Sequence, residues 1–253
     1  MKAVITIPAR MTSSRFPGKV LAELGPGSSE TALGFLINRL SPVAPVVVVT
    51  SGDESDAPIV ETAKSHGAQV VLGKHGDMIA QHHRVARETD ADIFLMAGAD
   101  DPLLDPYLFR LLIDRMAIGD VDYTKTSGWP LGLNVWAWTW DAIQAAHGRA
   151  IAPEERQHVV PFWERRPDRF PQAVIARTKS VYDLYRVTVD EGPDMQLVRT
   201  LISMLPEGFG AEDVIDALER HPELCLINAS GLRGTAARDA IYDVTPIRTE
   251  AAA

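Results

Sequence analysis

The segment Val4-Ile5-Thr6-Ile7-Pro8-Ala9-Arg10-Met11-Thr12-Ser13-Ser14-Arg15-Phe16-Pro17-Gly18-Lys19 decides how this chain is read. Its β-branched opening is a strand that starts almost at the first residue. The strand empties into a short loop holding Arg10, Arg15 and Lys19, small hydroxyl residues and a Pro-Gly turn. Three cations on one short loop repel one another, so the arrangement is poor for stability. It suits a polyphosphate. Ligands of open α/β sheets bind beyond the carboxyl ends of the strands, and guanidinium forks with a lysine point charge clamp phosphate oxygens.

Outward from that segment, strand-like stretches at 3–7, 45–50, 69–72 and 92–97 alternate with helix-patterned stretches at 32–40, 57–66 and 78–89. The continuous apolar run Val46-Val47-Val48-Val49 is what a parallel strand covered on both faces requires. Strand–helix alternation with short connections predicts a doubly wound, mostly parallel α/β sheet. After residue 120 the pattern changes. Trp129, Trp136, Trp138 and Trp140 crowd into twelve residues, predicting strands of a more exposed sheet and then a helix through 141–147. Residues 180–189 read as another strand, 193–204 and 211–220 as helices, and the tail beyond Ile247 as frayed.

The 253 residues are expected to form one domain. A net charge of −9 argues against coating nucleic acid or an anionic membrane, so an anionic ligand must be drawn by a local cluster. The single cysteine, Cys225, excludes an internal disulfide and reads as a small buried apolar residue. With no signal peptide and no apolar run of membrane-spanning length, the expected location is cytoplasmic.

Ile7-Pro8-Ala9-Arg10 with Ser14-Arg15-Phe16-Pro17-Gly18-Lys19 resembles the signature of the cytidylyltransferases that activate acidic sugars as CMP esters, and within them the spore coat polysaccharide biosynthesis branch. Further segments extend the likeness in order: Val48-Val49-Thr50-Ser51 with Asp56-Ala57-Pro58-Ile59, then Ala97-Gly98-Ala99-Asp100-Asp101-Pro102, then Glu155-Arg156-Gln157-His158-Val159-Val160-Pro161, and finally Arg186-Val187-Thr188-Val189-Asp190 with Pro193-Asp194. The resemblance implies a Rossmann-like nucleotidyltransferase fold. It also implies transfer of CMP from CTP to a small acidic acceptor, with pyrophosphate released.

Nucleotidyl transfer requires the triphosphate held, its developing charge neutralised and the acceptor aligned. Arg10, Arg15 and Lys19 are the expected triphosphate ligands, joined by the backbone around Thr12, Ser13 and Ser14, with Arg15 and Lys19 meeting the charge on the departing pyrophosphate. The resemblance makes Asp100 and Asp190 the carboxylates for Mg²⁺, which takes few protein ligands, and gives Asp100 the catalytic role. For a lone Asp after a strand, a turn or helix cap is the commoner role. By the resemblance, base selection falls to Ala9, Thr50 and Ser51, with 74–77, and Asp77 in particular, closing that side, and Pro8 joins them among the nucleotide-binding residues. Lys125, Asn134, Arg156 and His158 are the acceptor-side candidates, although Arg156 pairing with Glu154 or Glu155 is an equal alternative. His82 and His83 are adjacent on a helix and point apart, which disfavours a metal pair.

The branch carries an Asp-Gly-Leu-Asp-Val-Glu-like run where this chain has Leu131-Gly132-Leu133-Asn134-Val135-Trp136. Loss of three acidic positions removes acceptors for sugar hydroxyls. The expectation is an acceptor smaller or more anionic than a typical sugar, a sugar acid or a phosphonate. Two other readings stay open: another nucleoside triphosphate used on a sugar phosphate, and a catalytically silent nucleotide binder. By resemblance, 125–179 forms an inserted β-rich arm that pairs two subunits as a homodimer. The clustered tryptophans fit an interface or, equally, a local core.

Overall fold

The computed structural model describes residues 1–25, 29–74 and 76–229, together with the strand Thr249–Ala251. The strands are β1 (Ala3–Pro8), β2 (Val46–Thr50), β3 (Gln69–Leu72), β4 (Ile93–Met96), β5 (Tyr123–Ser127), β6 (Trp136–Thr139), β7 (Gln172–Ala176) and β8 (Thr249–Ala251). They form one sheet in the order β3-β2-β1-β4-β6-β5-β7-β8. Only β6 runs antiparallel to its neighbours β4 and β5; the other pairings are parallel. The doubly wound, mostly parallel sheet expected from the alternation is therefore present. β5 points the same way as β1 and β4, so the carboxyl ends of all three share one edge.

Helices cover both faces, as the all-apolar β2 demands. On one face α1 (Ala32–Leu40), α2 (Ala57–Ser65), α4 (Pro106–Ala117), α8 (Gly192–Met204) and α9 (Ala211–Arg220) pack against Ile5, Ile7, Val48, Ile93 and Leu95. On the other, α3 (Met78–Thr89), α5 (Trp140–Arg149) and α7 (Val160–Glu164) pack against Val4, Val47, Val49, Phe94 and Trp138. Odd and even residues of β1 and β4 thus feed opposite cores, the period-2 alternation of a strand buried twice. The short α6 (Pro153–His158) packs on α3. No helix among the described residues is long and apolar enough to cross a membrane.

Several expectations change, and one left open is settled. Residues 125–179 contribute β5, β6 and β7 to the main sheet rather than standing apart from it. Trp138 is fully buried, stacked on Trp163 at 5.0 Å, and Trp129 is buried too, so these rings fill cores because β6 lies in mid-sheet between β4 and β5. Residues 180–189 form no strand: their ladder-type pairing is an isolated β-bridge between Leu131 and Arg186. Of the tail beyond Ile247, Thr249–Ala251 pairs with β7, and the remainder lies outside the described residues. Cys225 is half-buried at the rim of the larger core.

Candidate active site

β1 ends at Pro8, and Ala9 continues its ladder by donating to the Val49 carbonyl at 2.9 Å. The chain then closes a tight loop. The Met11 carbonyl accepts from Ser13 N at 3.1 Å and Gly18 N at 3.0 Å. Gly18 sits at φ +74°, a left-handed conformation that glycine adopts without penalty. The turn launches a short 3₁₀ segment, Lys19–Leu21, whose Val20 is buried in the larger core. Burial of Val20 contributes about 1.5–3 kcal/mol and fixes the stem of Lys19.

The Lys19 ammonium is the hub of the site. It donates to Asp100 Oδ2 at 2.9 Å, to the Val189 carbonyl at 2.6 Å and to Asp190 Oδ1 at 3.2 Å. Arg15 donates to the same Asp190 oxygen at 2.7 Å. Asp100 follows β4 through Ala97, Gly98 and Ala99. A Cβ at Gly98 would lie 2.7 Å from Asp100 Oδ1 and 2.4 Å from Asp101 Oδ2, so any larger residue there would displace both carboxylates.

Asp190 reaches the edge by a different route from the expected strand. Val189 N donates to the Asp100 carbonyl at 2.7 Å, and Val187 N to the Leu131 carbonyl at 2.8 Å. Gly132, at φ +105°, permits this passage, because a Cβ there would stand 2.5 Å from Thr188 N. Behind Asp190, buried Arg186 contacts both Asp190 Oδ2, at 3.5 Å, and Asp194. Asp194 accepts from Asp190 N at 2.9 Å and Asn228 Nδ2 at 2.9 Å. The acidic residue is therefore held from behind by a buried ion pair, with its carboxylate presented to Lys19 and Arg15.

Beside this cluster a cavity of about 900 Å³ is lined by Arg10, Met11, Thr12, Ser13, Ser14, Pro17, Gly18 and Ser55. The loop floor is tied down by Asp56, which the sequence reading left without a role. Its buried carboxylate accepts from Met11 N at 2.8 Å, Ser51 Oγ at 2.6 Å and Thr50 Oγ1 at 3.2 Å. Burial alone would raise this carboxyl, but the hydrogen bonds outweigh it and hold it below the usual carboxylate range. Asp56 stands at the N-cap of α2 yet makes no side-chain cap bond. A capping-type residue whose carboxylate turns elsewhere was the available signal.

The matching family model, described as cytidylyltransferase, covers residues 4–216. The chain belongs to the cytidylyltransferase family. The spore coat polysaccharide biosynthesis protein SpsF of Bacillus subtilis is 25% identical over 234 residues, covering 86% of this chain and 94% of that protein. A 3-deoxy-manno-octulosonate cytidylyltransferase of Chlorobium limicola is 35% identical over 137 residues, 52% of each chain. A solved cytidylyltransferase of Leptospira borgpetersenii superposes with a TM-score of 0.82 at 27% identity, covering 88% of this chain and 96% of that one.

Within this cytidylyltransferase, Arg15, Lys19, Asp100 and Asp190 meet in one cluster, and Arg10 and 12–14 line the adjoining cavity. Thr50 and Ser51 direct their hydroxyls to Asp56 rather than outward. Asp77 caps α3 through Ala80 N at 3.0 Å and receives Arg156 Nε at 2.9 Å and NH2 at 2.7 Å. Arg156 therefore pairs with Asp77, not with Glu154 or Glu155. Lys125 donates to Glu164 Oε1 at 2.8 Å. Asn134 is buried, and its amide donates to the Trp129 and Pro130 carbonyls at 3.4 and 3.2 Å, so it braces the 129–135 loop. His158 is half-buried at the end of α6, before Val159 at φ +64°. His82 and His83 do point apart: His82 bonds Thr6 Oγ1 at 2.9 Å and the Met78 carbonyl at 2.7 Å, while His83 stacks on His147 at 4.0 Å.

Proposed function

We propose that this cytidylyltransferase couples CTP to the hydroxyl of a sugar-acid acceptor, giving a CMP ester, pyrophosphate and a proton. The observation that carries the reading is the convergence of Asp100 and Asp190 on the Lys19 ammonium, beside the loop cavity at the carboxyl edge. Two carboxylate oxygens that already share one cation also suit a single divalent ion. Mg²⁺ fits, because it binds through one or two carboxylates and completes its shell with water and phosphate oxygens. Asp100 and Asp190 would hold it, and when bound it supplies charge neutralisation at the reacting phosphate.

The chain's own residues supply the rest. Arg10 and the 12–14 backbone bind the triphosphate in the loop cavity. Arg15 and Lys19 face the β- and γ-phosphates and offset the charge that grows on pyrophosphate as its bond to the α-phosphorus breaks. Asp56 keeps the loop rigid, so these donors are positioned before the substrate arrives. Pro8 and Ala9 at the end of β1, with Thr50 and Ser51 at the end of β2, are the residues assigned to the pyrimidine base. The 3-deoxy-manno-octulosonate cytidylyltransferase relative supports a sugar-acid acceptor.

The test is pyrophosphate release with each of the four ribonucleoside triphosphates against a panel of acidic sugars, with and without Mg²⁺. Release is expected with CTP and divalent metal, and is expected to vanish in Asp100→Asn. Equal release with UTP or ATP would refute the cytidine assignment. Full activity of Asp100→Asn would refute the role given to the carboxylate pair.

A further inference from the structure

One row of side chains at the carboxyl edge lies outside the nucleotide cluster. Met96 of β4 is in register with Trp136 of β6, and Trp136 with Lys125 of β5. One pair deeper, Phe94, Trp138 and Tyr123 are fully buried on the α3 face of the sheet. Strand side chains alternate with period 2, so Met96, Trp136 and Lys125 stand on that same face, one step nearer the edge. All three are only partly covered. Met78, at the start of α3, packs on the same cluster. The Trp136 indole and the Met96 thioether thus form an apolar ledge in register with the Lys125 ammonium.

The charges bordering this ledge are matched. Lys125 Nζ lies 2.8 Å from Glu164 Oε1, which also accepts from Tyr123 OH at 2.9 Å. Arg156 is bound to Asp77 at the start of α3. A dianion entering here gains no net positive field. A single carboxylate can still take a remaining donor, since an ammonium has three and a guanidinium five. Hydroxyl-accepting carboxylates are replaced at Leu131, Asn134 and Trp136, and only Trp136 faces this ledge.

We propose that Trp136 and Met96 form the specificity floor of the acceptor subsite. They select a ring-shaped monocarboxylate that lays its C–H face on the indole, and they disfavour a compact dianion such as a phosphonate. The inference rests on the cytidylyl-transfer reading and revises the expectation of a more anionic acceptor. Burying the C–H face of a ring against an aromatic side chain favours this class because it removes apolar area from water.

The test compares wild type, Trp136→Phe and Trp136→Glu in steady-state kinetics. The ring acids are 3-deoxy-manno-octulosonate, N-acetylneuraminate and glucuronate; 2-hydroxyethylphosphonate is the dianion. CTP binding is measured separately by calorimetry without acceptor. At least one ring acid should be consumed and the phosphonate not. Trp136→Phe should raise the acceptor KM about threefold and Trp136→Glu roughly tenfold or more, with CTP affinity unchanged in both. Preference for the phosphonate, an unchanged acceptor KM in both variants, or CTP binding with no ring acid consumed would each overturn the inference. Failure of wild type to bind CTP would overturn the cytidylyl-transfer reading itself, and this inference with it.

Discussion

Asp56→Asn tests whether a buried carboxylate organises the nucleotide loop. The substitution keeps shape and volume but removes the charge from an acceptor that serves Met11 N, Ser51 Oγ and Thr50 Oγ1. A hydrogen bond to a charged group contributes about 1.5–3 kcal/mol, and a buried donor left without an acceptor costs about 1–3 kcal/mol. The asparagine oxygen can still serve one or two donors, while its NH₂ faces the third. A net loss of about 3 kcal/mol is expected in urea unfolding at neutral pH. Because the folded carboxyl titrates below its ordinary value of 3.8, its contribution is present above that value. It is lost as pH falls through the lower folded value. The gap between wild type and Asp56→Asn should therefore be widest above about pH 5 and should narrow progressively as pH falls below about 4 towards the lower folded value. The loop would also loosen, so the CTP KM should rise while the acceptor KM stays put. A variant within about 0.5 kcal/mol of wild type at neutral pH, or a gap that does not depend on pH, would refute the reasoning.

Lys19→Met removes the cation shared by Asp100 and Asp190. Pyrophosphate release should fall by about 10²–10³ in kcat with unchanged circular dichroism, and a loss under threefold would contradict its role. Gly132→Ala places a Cβ 2.5 Å from Thr188 N at φ +105°, so denaturation should show a loss of about 3 kcal/mol or more. His82 is fully buried, and desolvation lowers its pKa from 6.5 to about 4 despite the hydrogen bond with the Met78 carbonyl. Between those values the unfolded chain binds the extra proton, so stability falls as pH drops from 6.5 to 4, by about 3 kcal/mol from this group. His82→Gln should flatten that part of the pH–stability curve, which parallel melts at stepped pH would read directly.

The sheet was legible because β1, β2 and β4 are short apolar runs buried on both faces, a pattern that helices of ordinary length cannot imitate. Asp100 was legible because it stands just past such a run, and Lys19 because it closes the cationic loop that follows β1. The approach to Asp190 was misread for a physical reason. Val181, Val187 and Val189 are spaced like strand residues and are buried, but their backbone partners are the Gly128, Leu131 and Asp100 carbonyls, not a ladder. Only the glycine at 132 hints at that passage. The clustered tryptophans left interface and local core equally open because nothing local reveals that β6 inserts between β4 and β5. For Arg156 the alternative partners offered were the neighbouring Glu154 and Glu155, whereas the partners of Arg156 and Lys125 are Asp77 and Glu164, 79 and 39 residues away in sequence. Pairings at such separations follow from topology, which local pattern does not encode.

The most direct test of the account is ³¹P NMR of a reaction holding the enzyme, Mg²⁺, CTP and the acceptor sugar acid. Attack at the α-phosphorus predicts a CMP phosphodiester resonance rising in equal proportion with pyrophosphate, and neither appearing when UTP replaces CTP. Formation of CDP with a phosphorylated acceptor, or of CTP hydrolysis products alone, would place the chemistry at another phosphorus and contradict the account.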